Sequence, residues 1–164
     1  MSIVVDANLF SAITNPKSYD HSEYLPVLQW VENDRGKFVH GGSHYEKEIR
    51  KHRLFRQLLF QMEHKGKTIL VPKIYVDETE EYLILNYVER NFDDHHILAI
   101  LLVSNCILVC THDDGLAKLI KKCYLRASLK SIRKNCKHLG KLIRPRIYRT
   151  SKNIGLLCDR YIVS

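Results

Sequence analysis

Residues 97–110, ILAILLVSNCILVC, are apolar almost throughout and show no alternation of inward and outward positions. Ser104 and Asn105 interrupt the run, which also falls short of the roughly 20 residues that a membrane-crossing helix needs. Such a segment has to be buried by protein on every side. A helix feeding a short strand meets that demand in a parallel sheet covered on both faces, where strands read as continuous apolar runs. The rest of the chain fits the same plan. SIVVD (2–6) reads as a β-branched strand ending at Asp6, and GKFVHGG (36–42) as a strand with a glycine turn. KTILV (67–71) and CILVC (106–110) read as two more strands, and LIRPRIYRT (142–150) holds a last one after Pro145. Between them, SEYLPVLQWVEND (22–34) reads as a helix with Pro26 near its first turn. The longest helical pattern runs from Ser43 to about His64. DETEEYLILNYVER (77–90) is a helix opened by Asp77 and Glu80 as a capping box, and further helices run from about Asp94 to Val103 and from near Asp114. Strands alternating with helices predict one α/β domain over residues 1–164, with a mainly parallel β-sheet flanked by helices in three layers.

Charge is sorted along this domain. Residues 1–114 hold twelve Lys and Arg against seventeen Asp and Glu, whereas the segment from about 115 to 158 holds thirteen Lys and Arg and no acid. A stretch so one-sided suits a polyanion such as nucleic acid, and Lys130, Arg133, Lys134 and Lys137 are its densest cluster. Arg50, Lys51, Arg53 and Arg56 form the alternative basic surface. The start, MSIVVDANLF, has no basic leader, and the odd count of five cysteines without a CxxC pair fits reduced thiols. A cytoplasmic protein without a membrane segment is expected. Cys106, Cys110 and the nearby histidines match no common zinc spacing.

Carboxylates bracket the apolar run: Asp93 and Asp94 precede it, and Asp113 and Asp114 follow it. One member of each pair is able to cap a helix by accepting first-turn N–H groups, which leaves the other for chemistry. In open α/β sheets, ligands bind beyond the carboxyl ends of the strands. Asp6 and Asp113 come out on that edge, while Asp94 has to reach it by packing. On the helix from Ser43, Glu46 completes the pattern S-x-x-E, a capping box. Glu48 instead shares an apolar stripe with Phe55, Leu59 and Met62, where a carboxylate is costly unless paired or bound to metal. Lys51 and His52 offer an ion pair as the ordinary explanation. Four gathered carboxylates repel one another unless a cation neutralises them, and an oxygen-only set selects Mg²⁺ or Mn²⁺. The chemistry such a metal supports is hydrolysis of a phosphodiester.

In this arrangement the chain resembles the PIN-domain family of metal-dependent nucleases. VVDANLF resembles its first motif, with Asp6 as the first acid and Asn8 as its polar neighbour; GGSHYEKEI is similar to the second, its acid matching Glu48. DDHHILAI and LVCTHDDGL are similar to the third and fourth, with Asp94 and His96 in one and Thr111 and Asp113 in the other, Asp114 supporting. RIYRTSKNIGLL resembles the terminal strand and loop of some members. The resemblance implies a PIN-like three-layer fold and an endoribonuclease acting on single-stranded RNA, with Asp6, Glu48, Asp94 and Asp113 holding Mg²⁺ or Mn²⁺. It also implies a place among toxins of toxin–antitoxin pairs, with an antitoxin-like protein inhibitor and a homodimer. His112 stands where the family often has Asn, and the basic stretch from Cys123 to Ile143 exceeds what a minimal toxin needs. A catalytically silent PIN-like domain that binds RNA or a protein partner is the alternative. A haloacid dehalogenase phosphatase needs Asp-x-Asp where this chain has Asp6-Ala7-Asn8, and dinucleotide-binding and P-loop folds need glycine patterns it lacks.

Overall fold

Five parallel strands form the centre of the computed structural model, which describes residues 1–33, 35–87, 93–149 and 157. They are β1 (Ser2–Val5), β2 (Lys37–Gly41), β3 (Thr68–Val71), β4 (Leu108–Cys110) and β5 (Arg146–Tyr148), in the spatial order β3-β2-β1-β4-β5. Helices α1 (Phe10–Thr14) and α2 (His21–Asn33) join β1 to β2; α3 (Ser43–Lys51) and α4 (Arg53–His64) join β2 to β3. The path from β3 to β4 carries α5 (Lys73–Asn86) and α6 (His95–Ser104), and that from β4 to β5 carries α7 (Asp114–Cys123) and α8 (Arg126–Asn135). Crossovers between parallel strands are right-handed. The first two therefore cover one face and the last two the other, as the packing of α1 on α2 and α4, and of α5 through α8 in succession, requires. The α/β sheet flanked by helices in three layers is as the sequence predicts. Among the described residues no helix is long and apolar enough to cross a membrane.

The strand order reverses between β1 and β4, which pair as Ile3–Leu108, Val4–Val109 and Val5–Cys110. All three residues of β4 and all of α6 from His95 to Leu102 are buried, so the apolar run that opened the sequence is the middle of the core. Each ladder extends one residue beyond its strand, with the Asp6 N–H donating to Cys110 O and that of Thr111 to Tyr148 O. Asp6 and Thr111 are thus fixed at the carboxyl edge by backbone bonds.

Four local expectations are overturned. The long helical pattern from Ser43 breaks at His52, whose backbone is not helical (φ −107°, ψ 88°), so Glu48 lies on α3 while Phe55, Leu59 and Met62 lie on α4. No capping box joins Ser43 to Glu46: Gly42 is the cap residue, and the backbone N–H and hydroxyl of Ser43 both donate to the Asp77 carboxylate. Nor do Asp77 and Glu80 open a helix, since α5 starts at Lys73 behind Pro72 and places both inside it. Pro26 likewise lies beyond the first turn of α2. Of the predicted segments, Asp34, Val88–Phe92 and residues 150–156 lie outside the described residues. The Asp77 bond is possible because Gly42, at φ 81°, has no side chain; a Cβ there would stand 2.4 Å from Val76 Cγ1 of α5.

An aspartate that caps a helix from a neighbouring one should behave as a cap in stability measurements. Asp77→Ala is expected to cost about 1–2 kcal/mol, the usual worth of a lost N-cap. Glu46→Gln should leave the denaturation midpoint unchanged. Chemical denaturation of the two variants checks both; a larger loss for Glu46→Gln would contradict the assignment.

Candidate metal centre at the carboxyl edge

Asp6 is 1 % exposed, and both of its oxygens are engaged. Oδ1 accepts the Asn8 N–H at 3.0 Å, which starts the short 3-10 turn Ala7–Leu9, and Oδ2 accepts the Thr111 hydroxyl at 2.7 Å. Asn8 supports the acid through its backbone, its side chain being exposed. Thr111 Oγ1 in turn accepts the Asp113 N–H at 3.0 Å, so one hydroxyl links the acids that follow β1 and β4. Asp113 Oδ1 accepts the Leu116 N–H at 2.7 Å and is the cap of α7. That corrects the expectation for Asp114, which neither caps nor faces the site. It is an exposed residue paired with Arg149 at 2.7 Å.

Helices in this fold run back against the strands, so the start of α6 returns to the same edge. Asp94 occupies the cap position there but makes no side-chain cap bond. Asp93 is exposed. Burial, then the neighbouring charge of Asp6, with smaller contributions from Asp113 and Glu48, pushes the Asp94 carboxyl up to about 6; His96 opposes the shift. Asp6, Asp113 and Glu48 thus each act on the charge of Asp94, although among the described residues no three of these four acids bring ligand atoms within 4.8 Å of one another. Tyr45 lies among them, fully buried, with its hydroxyl donating to Val5 O and its pKa raised by burial and by Asp6 and Glu48. It ties α3, and so Glu48, to the end of β1.

Beside the acids stands a group that sequence reasoning does not reveal. Glu48 Oε2 lies 2.8 Å from His96 Nε2, and Glu80 Oε1 lies 2.9 Å from His44 Nδ1. The two imidazoles face each other, with ring centres 4.1 Å apart. His44, Glu80 and His96 present ligand atoms all within 4.8 Å of one another, a group that could hold a metal ion. Burial opposes charge on both partners of the Glu48–His96 pair, yet the pairing prevails: Glu48 titrates lower than an ordinary glutamate and His96 higher than an ordinary histidine. His44 and Glu48 open onto a cavity of about 500 Å³, whose rim includes Lys47 and Lys51.

Lys130, Arg133, Lys134 and Lys137 are all exposed and line a second groove of about 740 Å³, floored by Tyr124, Leu129 and Leu139. Tyr124 follows the last residue of α7, whose first follows Asp113. A ten-residue helix, roughly 15 Å at 1.5 Å per residue, separates this groove from the acids.

Asp94 gives the site a signature in pH. Its pKa in the folded chain exceeds the unfolded value, so its ionisation costs nothing below about pH 4, where both states are protonated, and costs most above about pH 6. The penalty is about 1–2 kcal/mol after allowance for its exposed part. Asp94→Asn should therefore match the wild type near pH 4 and gain stability over it as pH rises through 6, as thermal melts will show. A stability difference that does not change with pH would contradict the crowding. Compared with protein-family models, with curated proteins and with solved structures, the chain matches none.

Proposed function

We propose that the chain is a divalent-metal-dependent endoribonuclease of the PIN type that hydrolyses phosphodiester bonds in single-stranded RNA. The observation that carries the reading is the concentration of carboxylates at the strand-order reversal, where α/β sheets bind ligands. The elevated pKa of Asp94, raised first by burial and then by the charge of Asp6, supports it, since a buried carboxyl beside like charges invites a cation. The donor set suits Mg²⁺ or Mn²⁺: Asp6, Asp94, Asp113 and Glu48 offer hard oxygens, and these residues would hold the ion. Such an ion supplies Lewis acidity and lowers the pKa of water at neutral pH. The chain's own residues do the positioning. Thr111 orients Asp6 and, through the Asp113 N–H, the first turn of α7; Tyr45 fixes the height of α3 against β1; His96 holds the Glu48 carboxylate.

Placement of the substrate follows from the separation of the two surfaces. Lys47 and Lys51 share a cavity with Glu48, whereas the groove of Lys130, Arg133, Lys134 and Lys137 lies a helix length away from Asp113. The nearer lysines suit the scissile phosphate and the groove suits flanking phosphates of the same strand. An antitoxin-like inhibitor and a homodimer, which the PIN resemblance implies, belong to this proposal; exposed Leu54, Phe60 and Leu70 offer apolar surface for either. A silent RNA-binding domain would need the groove but not the acids.

Unstructured RNA incubated with Mn²⁺ should be cut to products bearing 5′ phosphates, and a chelator should stop the cutting. Thr111→Val, which removes the link between two acids without touching RNA, should lower the rate roughly 10- to 100-fold, the usual range for outer-shell partners of a metal site. Equal cleavage with chelator, or cyclic phosphate ends, would contradict the mechanism. Replacing Lys130, Arg133, Lys134 and Lys137 with Gln should weaken binding to all sequences alike and flatten the salt dependence by about 0.7 log units per lost phosphate contact. An unchanged slope would move the RNA to the surface of Arg50, Lys51, Arg53 and Arg56.

A further inference from the structure

We infer that His44, His96 and Glu80 form a second metal site, of mixed nitrogen and oxygen donors, that takes a borderline divalent cation of the zinc class and shares Glu48 with the acidic cluster. Its geometry is that of a ligand set. His96 Nδ1 lies 3.2 Å from the Asp93 carbonyl, which can only accept, so Nδ1 donates there, while Nε2 donates to the Glu48 carboxylate at 2.8 Å; that Nε2 hydrogen is the one an ion would displace. A histidine whose second nitrogen donates to a carbonyl is the usual arrangement of a metal-ligating imidazole, since that bond fixes both tautomer and ring plane. His96 is 2 % exposed and has no freedom to turn away. Opposite it, His44 keeps 43 % of its side chain exposed and lies on the rim of the 500 Å³ cavity, which gives an ion a way in.

The frame around the group is built. Ser43 and His44 are neighbours at the start of α3, while Asp77 and Glu80 lie one turn apart on α5. The Ser43–Asp77 bonds set the two helices at the separation that brings His44 onto Glu80. Once an ion has displaced the Nε2 proton of His96, the imidazoles are neutral and the group carries the two carboxylate charges of Glu48 and Glu80, which one dication balances. Imidazole nitrogen favours zinc and its neighbours over magnesium, whereas Asp6 and Asp113 offer oxygen alone. The two clusters therefore select different metals, and Glu48 faces both: it pairs with His96 and acts on Asp94. A cation on the histidines draws on the same carboxylate that the acidic cluster uses. The inference rests on the nuclease reading only for this last consequence, and binding of the ion itself is independent of RNA.

Calorimetric titration of the full chain with Zn²⁺, with Mg²⁺ in excess, tests the site. One Zn²⁺ should bind despite the Mg²⁺. His44→Ala and Glu80→Gln should each weaken that binding at least 10-fold, while Asp6→Asn changes it less than 3-fold. His44 is chosen because its exposure makes loss of folding a minor concern, and Glu80→Gln keeps the shape of the side chain. Co²⁺ used in place of Zn²⁺ should show absorption bands without thiolate charge transfer, which separates this site from the cysteines. Zn²⁺ affinity unaltered in both variants, affinity lost in Asp6→Asn, complete displacement by Mg²⁺, or a thiolate spectrum would each overturn the assignment. If Zn²⁺ binds as expected but no RNA is cut, the histidine site stands and the nuclease reading falls.

Discussion

The Thr111 hydroxyl, donating to Asp6 Oδ2 while accepting the Asp113 N–H, is the contact on which the arrangement of this edge depends. It exists because β1 and β4 are neighbours, although 105 residues separate Asp6 from Thr111. Adjacent parallel strands leave their next residues side by side, and here one is a buried aspartate and the other a hydroxyl with one donor and two lone pairs. A buried carboxylate is expensive unless bonded on both oxygens. Asp6 meets the requirement with the Asn8 N–H on one side and Thr111 on the other, which fixes its direction. Asp113 follows two residues after Thr111, and its own cap bond to Leu116 fixes it as well. Two acids are thereby immobilised before any ion is considered, as a preorganised site requires.

Asp94 and Glu48 are held differently. Among the described residues neither is bonded by backbone amides at its oxygens; Asp94 stays half-buried without a cap bond, and Glu48 is held by a histidine. The contrast has consequences for charge. Burial, and after it the charge of Asp6, raises the Asp94 pKa, while Glu48 is shielded by His96. Attraction on one flank and repulsion on the other make Glu48 the point at which the acidic and histidine clusters communicate. The capped start of α3 supports this pairing, since the Asp77 bonds to Ser43 position both His44 and, one turn later, Glu48.

Much of this was legible in the chain, for reasons that can be located. Asp6 and Asp113 follow short apolar strands, and a parallel sheet sends both to one edge whatever the details of packing. Asp94 was harder, yet a helix entering a parallel strand has to start at that same edge, so its position follows from topology. The break at His52 has no glycine or proline to announce it; beyond it Phe55 stacks on Phe10, at 3.7 Å between ring centres, a tertiary contact that local sequence does not reveal. Pro72 was an available signal for the start of α5, because proline is tolerated at the beginning of a helix and not inside it. Starting the helix at Lys73 puts Asp77 and Glu80 three residues apart on one face, directed at a neighbour rather than at their own first turn. His44 and His96 lie 52 positions apart on separate helices, and no local spacing could pair them.

The central claim is that the four carboxylates at the strand-order reversal hold a divalent cation. Diffraction from crystals soaked in Mn²⁺ with Mg²⁺ withheld, recorded at the manganese absorption edge, tests it without reference to any substrate. The account predicts an anomalous peak within coordinating distance of Asp6, Asp94 and Asp113, with Glu48 bordering it, and its disappearance in Asp6→Asn crystals. Crystals saturated with Mn²⁺ that show no peak among these acids, or a peak that survives Asp6→Asn unchanged, would contradict it.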